Sequence, residues 1–197
     1  MKVLVACEYS GRVRDAFSAL GHDAMSCDLL PSETEGNHYQ GDVREVLNDG
    51  WDLMVAHPDC TYLCNSGVCH LHKDAKRWLK LFEGAEFFKL LLDAPIPKKA
   101  VENPIMHKYA KRLIGKSQTQ VVQPWMFGHP EQKATCLWLE GLSPLEPSND
   151  VKAHMLTLPD NERQRLHYLP SGKDRWKERS RTYTGIAEAM AWQWSYR

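Results

Sequence analysis

The chain has 197 residues, 25 of them basic and 25 acidic, and a formal net charge of zero. That length supports one domain of ordinary size with a real core, and is short for an enzyme that also carries a large substrate-reading domain. Balanced charge excludes a global field for a polyanion, so any nucleic-acid contact has to come from a local patch.

The N-terminal MKVLVACEYSGRVRDAF lacks the long apolar stretch and small-residue cleavage site of a signal peptide. No run approaches the roughly 18 apolar residues of a membrane span. A soluble, cytoplasmic protein with its six cysteines reduced is expected.

VLVA (3–6) reads as a short buried strand, Arg12 to Leu20 as a helix stopped by Gly21, and DAMSCD (23–28) as a second strand. WDLMVAHP (51–58) is another apolar strand closed by proline. Between His72 and Asp93 the apolar residues Trp78, Leu81, Phe82, Ala85, Phe88 and Leu92 fall at helical spacing and predict an amphipathic helix packed on the core. PIPKKAVENP supplies a loop and a short strand ending in Glu-Asn-Pro. TQVVQP (119–124) and ATCLWL (134–139) predict a hairpin around FGHPEQK. Gly141 to about Asp174, rich in Pro, Ser, Asn and charge, reads as an excursion from the sheet with a weak helical stretch near Asn161 to His167. GIAEAMAWQW predicts a C-terminal helix packed back on the domain. Alternating strands and helices imply an α/β fold, a mostly parallel sheet with helices on both faces. The organisation expected is an α/β core over 1–140, a reduced recognition or loop region over 141–174, and a basic and aromatic segment with the final helix over 175–197.

In open parallel sheets ligands bind beyond the carboxyl ends of the strands. Those ends are chemically loaded: Glu8-Tyr9-Ser10-Gly11, Asp28, Gly41-Asp42-Val43, His57-Pro58-Asp59-Cys60 and Glu102-Asn103-Pro104. An acid after the second strand, Asp28, suits the two hydroxyls of a ribose. The first loop has one glycine, Gly11, and lacks the Gly-x-Gly-x-x-Gly of a dinucleotide fold, so a nucleoside cofactor without a diphosphate fits better than NAD.

In order and spacing, EYSG (8–11), Asp28, GDV (41–43), HPDC (57–60) and ENP (102–104) resemble the DNA cytosine-C5 methyltransferases over about residues 1–140. The resemblance is to a short, divergent member of bacterial or phage type. It implies a Rossmann-like S-adenosylmethionine-dependent methyltransferase fold and methyl transfer to cytosine C5 in DNA. Cytosine C5 is a poor nucleophile: a thiolate adds to C6 and a carboxylic acid holds N3, which makes C5 enamine-like. By this resemblance Cys60 is the nucleophile and Glu102 the N3 partner. Asp28 would hold the ribose of S-adenosylmethionine, Asp42 and Val43 its adenine, and Ser10 and Gly11 its methionine end. Pro58 and Asn103 would shape the pocket, and a duplex base would have to be flipped out to enter it.

The chain departs from that family in three places. Asp59 stands where proline is usual, and a carboxylate beside a thiol raises its pKa above the free value of about 8.5; Lys133 or a nearby histidine would offset it. The family's Gln-x-Arg-x-Arg segment is replaced by a stretch in which Gln123 matches and Lys133 is the nearby cation, without the planar fork of arginine. The target-reading domain is reduced to about 141–174 and ends in DRWKERSRTY, where Arg175, Lys177, Arg179 and Arg181 alternate with Trp176 and Tyr183. That pattern suits single-stranded nucleic acid, and equally a solvated basic segment; a protein partner could replace the missing reader. Cys60, Cys64, Cys69, His70 and His72 are potential zinc ligands, but their irregular spacing argues against a metal site. Cys7, Cys27 and Cys136 read as core. Two other readings remain open: a catalytically silent relative that binds nucleic acid or a protein, and a transferase acting on a free pyrimidine nucleotide.

Overall fold

The computed structural model describes residues 1–196. In chain order the elements are β1 (Lys2–Ala6), α1 (Arg12–Ala19), β2 (Asp23–Asp28), β3 (His38–Gln40), β4 (Leu53–Ala56), α2 (Ala75–Leu92), β5 (Lys98–Pro104), α3 (Lys108–Ile114), β6 (Gln120–Val122) and β7 (Thr135–Glu140). Five further helices follow: α4 (Lys152–Thr157), α5 (Asp160–Arg163), α6 (Arg165–Tyr168), α7 (Arg175–Ser180) and α8 (Thr184–Tyr196).

The strands form one sheet in the order β3-β2-β1-β4-β5-β7-β6. β1 to β5 run parallel, and β7 is antiparallel to both β5 and β6. This is a Rossmann-like α/β fold, a mostly parallel sheet covered on both faces.

Burial of both faces explains why β1 and β4 read as unbroken apolar runs rather than alternating ones. Val3 and Val5 point to one side with Leu53, Val55 and Ala100, where Val13 and Phe17 of α1 and Ile186, Met190 and Trp194 of α8 cover them. Leu4 and Ala6 point to the other with Met54, Ala56 and Val101, under Leu81, Ala85, Phe88 and Leu91 of α2. The helix predicted over 72–93 begins at Ala75, because the Asp74 carboxylate accepts from the Lys76 N–H at 2.9 Å and caps it. Its buried face is also turned slightly from the prediction. Phe82, placed on the apolar stripe by spacing, is 47% exposed, while Leu91 is fully buried.

The hairpin expected between 119 and 139 forms as β6 and β7. The excursion after Gly141 contains three short helices, and Leu145 and Leu166 from it enter the core between the sheet, α1 and α8. Among the described residues no helix is long and apolar enough to cross a membrane.

Candidate active site

The strand order reverses between β1 and β4, so the crevice of this fold opens beyond the carboxyl ends of those two strands. β1 ends at Cys7, whose backbone is left-handed (φ +58°), a conformation that costs a non-glycine residue on the order of 1–2 kcal/mol. Glu8 follows and is buried. Its Oε1 accepts from the Val13 N–H at 2.8 Å and the Ser10 hydroxyl at 3.1 Å, and its Oε2 accepts from the Arg14 N–H at 3.2 Å. The helix N-terminus, the usual place for a ligand anion, is here satisfied by the chain's own carboxylate.

The neighbouring strand ends bring together four titratable groups. The register pairs Ala56 with Val101, which places His57 beside Glu102 across the β4–β5 boundary. His57 Nδ1 lies 3.6 Å from Glu102 Oε1, an ion-pair contact rather than a formed hydrogen bond. Burial opposes charge on His57, but Glu102, with Glu8 behind it, outweighs burial and raises its pKa. Burial likewise pushes Glu102 up, and His57 and Lys133 more than reverse this, so its carboxyl is held below its ordinary value. The acid expected at N3 of a base is therefore ionised and paired in the free protein.

Cys60 follows on the loop after β4, and the Cys64 N–H donates to the Cys60 carbonyl at 3.0 Å, closing one turn. The Cys64 thiol, burial, Glu102 and Asp59, in this order, all push the Cys60 thiol up. The same neighbourhood of the two thiols, helped by the Ser66 hydroxyl at 3.0 Å, brings Cys64 down. Asp59 thus acts in the expected direction as the weakest of these causes. Its carboxylate turns to Thr61, two residues on, accepting from the Thr61 N–H at 2.9 Å and the Thr61 hydroxyl at 2.5 Å. The offsetting cation is Lys133, which interacts with both Cys60 and Glu102 while burial lowers its own pKa. Its Nζ donates to the Arg179 carbonyl at 2.8 Å, and Gln123 Oε1 accepts from its backbone N–H at 3.0 Å, so Gln123 fixes the backbone that carries it. Pro58 and Asn103 are buried at the same strand ends. Asn103 Nδ2 donates to the Pro104 carbonyl at 2.6 Å, and its Oδ1, like His57 Nε2, is buried without a partner among the described residues.

At the residues expected to hold a cofactor, the surroundings suit an adenosine better than an amino-acid end. Asp28 is half-buried at the end of β2, and burial raises its pKa, while its Oδ1 accepts from the Leu30 N–H at 2.9 Å. Leu29 and Leu30 beside it are exposed, an apolar surface next to a carboxylate that can accept from ribose hydroxyls. Asp42 is engaged within the chain: it caps the turn at Val43–Glu45 through the Arg44 N–H at 3.0 Å and pairs with the Arg44 guanidinium at 2.7 Å. Val43 is in the core. Ser10 is tied to Glu8. Gly11 (φ +74°) serves packing, since a Cβ there would lie 2.1 Å from Thr34 Oγ1 and 2.5 Å from Arg14 Nη2.

No family model matches the chain, and no curated protein does. Among solved structures it is similar to a prophage-encoded E. coli protein described as a DNA modification methyltransferase, with 17% identity and a TM-score of 0.47 over 80% of this chain and 55% of that one. It is also similar to the Entamoeba histolytica methyltransferase EhMeth, with 14% identity and a TM-score of 0.42 over 86% of this chain and 60% of that one. The chain therefore spans a little over half the length of these two structures.

The basic segment forms α7 and docks at the mouth of the crevice. The Tyr9 hydroxyl donates to the Lys177 carbonyl at 3.2 Å and meets Ser180 Oγ at 2.9 Å, and the Tyr9 and Trp176 rings lie 5.6 Å apart. Arg181 pairs with Glu33 at 2.7 Å and with Glu178, Arg175 donates to the His167 carbonyl at 3.0 Å, and Lys177 pairs with Asp174 at 3.5 Å. Arg179 is exposed. Of the residues weighed for zinc, Cys69 and His70 are exposed, and His72 packs edge-on to Trp78 and Tyr109. Cys27 and Cys136 are core, and Cys7 packs against it.

Three participants escaped sequence reasoning: His57 as partner of Glu102, Cys64 as partner of Cys60, and Glu8 as the cap of α1. The signals were present as a histidine and two acids at strand ends and a second cysteine four residues after the first. Only the register shows which of them face each other.

Proposed function

We propose that the chain is an S-adenosylmethionine-dependent methyltransferase acting on cytosine C5 in DNA, with Cys60 as nucleophile and Glu102 as partner of N3. The observation that carries this reading is the convergence of Cys60, Glu102 and Lys133 at the ends of β4, β5 and the approach to β7, where Glu102 raises the Cys60 thiol, Lys133 lowers the Glu102 carboxyl, and both anionic groups favour charge on Lys133. Asp28 would hold the cofactor's ribose and Leu29 and Leu30 its adenine; when bound, the cofactor supplies an electrophilic methyl group. Cys60 adds to C6, Glu102 holds N3, electron density rises at C5 and C5 takes up the methyl group; loss of the C5 proton to water then restores the C5–C6 double bond and expels the thiolate. Lys133 stabilises both anions.

Incubation with labelled S-adenosylmethionine and DNA, RNA or free nucleotides tests this, and label transfer should vanish in Cys60→Ser. A covalent complex with DNA containing 5-fluorocytosine would identify Cys60 directly. The raised Cys60 thiol favours a second reading, a silent relative that binds nucleic acid. Absence of transfer and of cofactor binding, from neutral pH to about one unit above the free-cysteine value of about 8.5, would select it.

A further inference from the structure

The reaction needs a proton at N3, yet Glu102 sits in the free protein as the anion of a buried pair. Its partner is well placed to supply that proton. The His57 ring is nine-tenths buried, Nδ1 is 3.6 Å from Glu102 Oε1, and Nε2 has no partner among the described residues. His57 directly follows β4 beside Glu102 on β5, so the register of the two strands and the His57 N–H bond to the Ala6 carbonyl at 2.9 Å, not side-chain rotamer alone, fix their separation. The charged groups facing the ring come from every neighbouring strand end. Glu102 on β5, Glu8 after β1 and Asp28 on β2 favour imidazolium, and Lys133 before β7 opposes it.

We infer that His57 is a positioning residue that holds Glu102 at the base and keeps, as imidazolium beside it, the proton that Glu102 delivers to N3. When the Cys60 thiolate forms its bond to C6, the C5–C6 π pair becomes the C4–C5 double bond and the C4–N3 π pair moves onto N3, which takes the one proton of the pair, passed from His57 Nδ1 through Glu102, leaving a neutral His57 beside the Glu102 anion. Once C5 has taken the methyl group, the N3 proton returns by the same route, and loss of the C5 proton to water restores the C5–C6 double bond as the C6–S bond breaks. The N3 proton is cycled within the pair, which suits a pair this deeply buried. The role of His57 rests on the proposed reaction; the ion pair itself does not.

Long-range 1H–15N NMR on the full chain reads the pair without turnover. One histidine should be imidazolium above its ordinary midpoint of about 6.5, vanish in His57→Gln, and lose its raised midpoint in Glu102→Gln but not in Asp59→Asn. If His57→Gln does not fold, the contrast between the Glu102 and Asp59 variants assigns the signal. A neutral ring at pH about 6, or a midpoint indifferent to Glu102→Gln, overturns the inference whatever the activity. With the pair present, methyl transfer decides the rest: His57→Asn should lower kcat at least about tenfold with KM for DNA and cofactor affinity unchanged, and should steepen the pH dependence. Unchanged kcat in that variant overturns the proton role while leaving the reaction intact. A wild-type protein with the pair but neither methyl transfer nor a fluorocytosine adduct overturns the reaction, and the proton role with it.

Discussion

Arg14 offers the sharpest test of how the α1–β2 side of the crevice is built. It lies on α1, 1% exposed, and its guanidinium bonds Asp15 Oδ1 at 2.7 Å, Ser26 Oγ at 3.0 Å, Ser32 Oγ at 3.1 Å, Thr34 Oγ1 at 2.6 Å and the Glu35 carbonyl at 2.9 Å. One planar fork thus ties α1 to β2 and to the loop that follows Asp28. Two glycines, among them Gly11, expected at the cofactor, make room for it: a Cβ on Gly11 would lie 2.5 Å from Arg14 Nη2, and one on Gly36 2.8 Å from Arg14 Cζ. In Arg14→Ala, Ser26 keeps its bond to His38 Nδ1 at 2.9 Å, and Asp15, Ser32, Thr34 and Glu35 reach water, so few groups are left stranded. The loss is then about 1.5–3 kcal/mol for the charge-assisted bonds plus about 1–2 kcal/mol for the buried stem, or about 2.5–5 kcal/mol together. With a urea slope of about 2 kcal/mol per molar, the unfolding midpoint should fall by about 1.2–2.5 M. Arg14→Lys, which keeps the charge but cannot span the partners, should fall in between. Proteolysis should open the loop between residues 29 and 37 first. A midpoint within about 0.5 M of wild type for Arg14→Ala would refute this account of the loop.

Gly11→Ala should destabilise by about 2–3 kcal/mol through its positive φ and the contact with Thr34 Oγ1, and Thr34→Ala should recover part of this in urea melts. Alkylation mapped by mass spectrometry should find Cys64 reactive below the ordinary cysteine value and slower in Cys60→Ala, while in Cys64→Ala the remaining Cys60 stays slow at neutral pH; equal rates in all three proteins would dismiss the thiol pair. Arg181 holds Glu33 below its ordinary value, so the tie between α7 and the loop after β2 is fully present above the unfolded glutamate value of about 4.3. It is lost as pH falls through the lower folded value. The fluorescence change that Trp176→Phe removes should follow that acid step and be absent in Glu33→Gln.

Apart from β3, whose His38–Gln40 is not an apolar run and does not read as a strand, the sheet was legible because its strands are short apolar runs between turn residues, and the β6–β7 hairpin because two such runs flank FGHPEQK. Helix phase was less so: spacing placed Phe82 inward, but α2 crosses the sheet with Leu81, Ala85, Phe88 and Leu91 down. At the site, position was readable and chemical state was not. Glu102 stands where an acid was expected, yet its ionisation is decided by His57, a neighbour only through strand register. Asp42 likewise sits at the right place in the order, with its carboxylate spent on a turn and on Arg44. Such competition between local caps and ligand contacts leaves no trace in residue identity.

The resting protonation of the site is the reverse of what addition to cytosine requires, since Cys60 holds its proton and Glu102 lacks one. Both defects are one-proton displacements inside existing pairs, from Cys60 to Cys64 and from His57 to Glu102. Neither changes the number of protons bound, so in the proposed reaction the resting protein differs from the reactive one only in where two protons sit. Each pair titrates as a unit. The rate should therefore be flat with pH between the loss of the thiol pair's first proton and the loss of the His57–Glu102 proton, instead of rising with ionisation of a lone buried cysteine. Cys64→Ala removes the acceptor for the Cys60 proton and should turn that plateau into a slope of about one decade per pH unit up to the Cys60 value. His57→Asn should cut the level of the plateau. A wild-type rate that climbs steadily with pH through the neutral range would show that Cys60 ionises to solvent, and the paired-proton account of the site would fail.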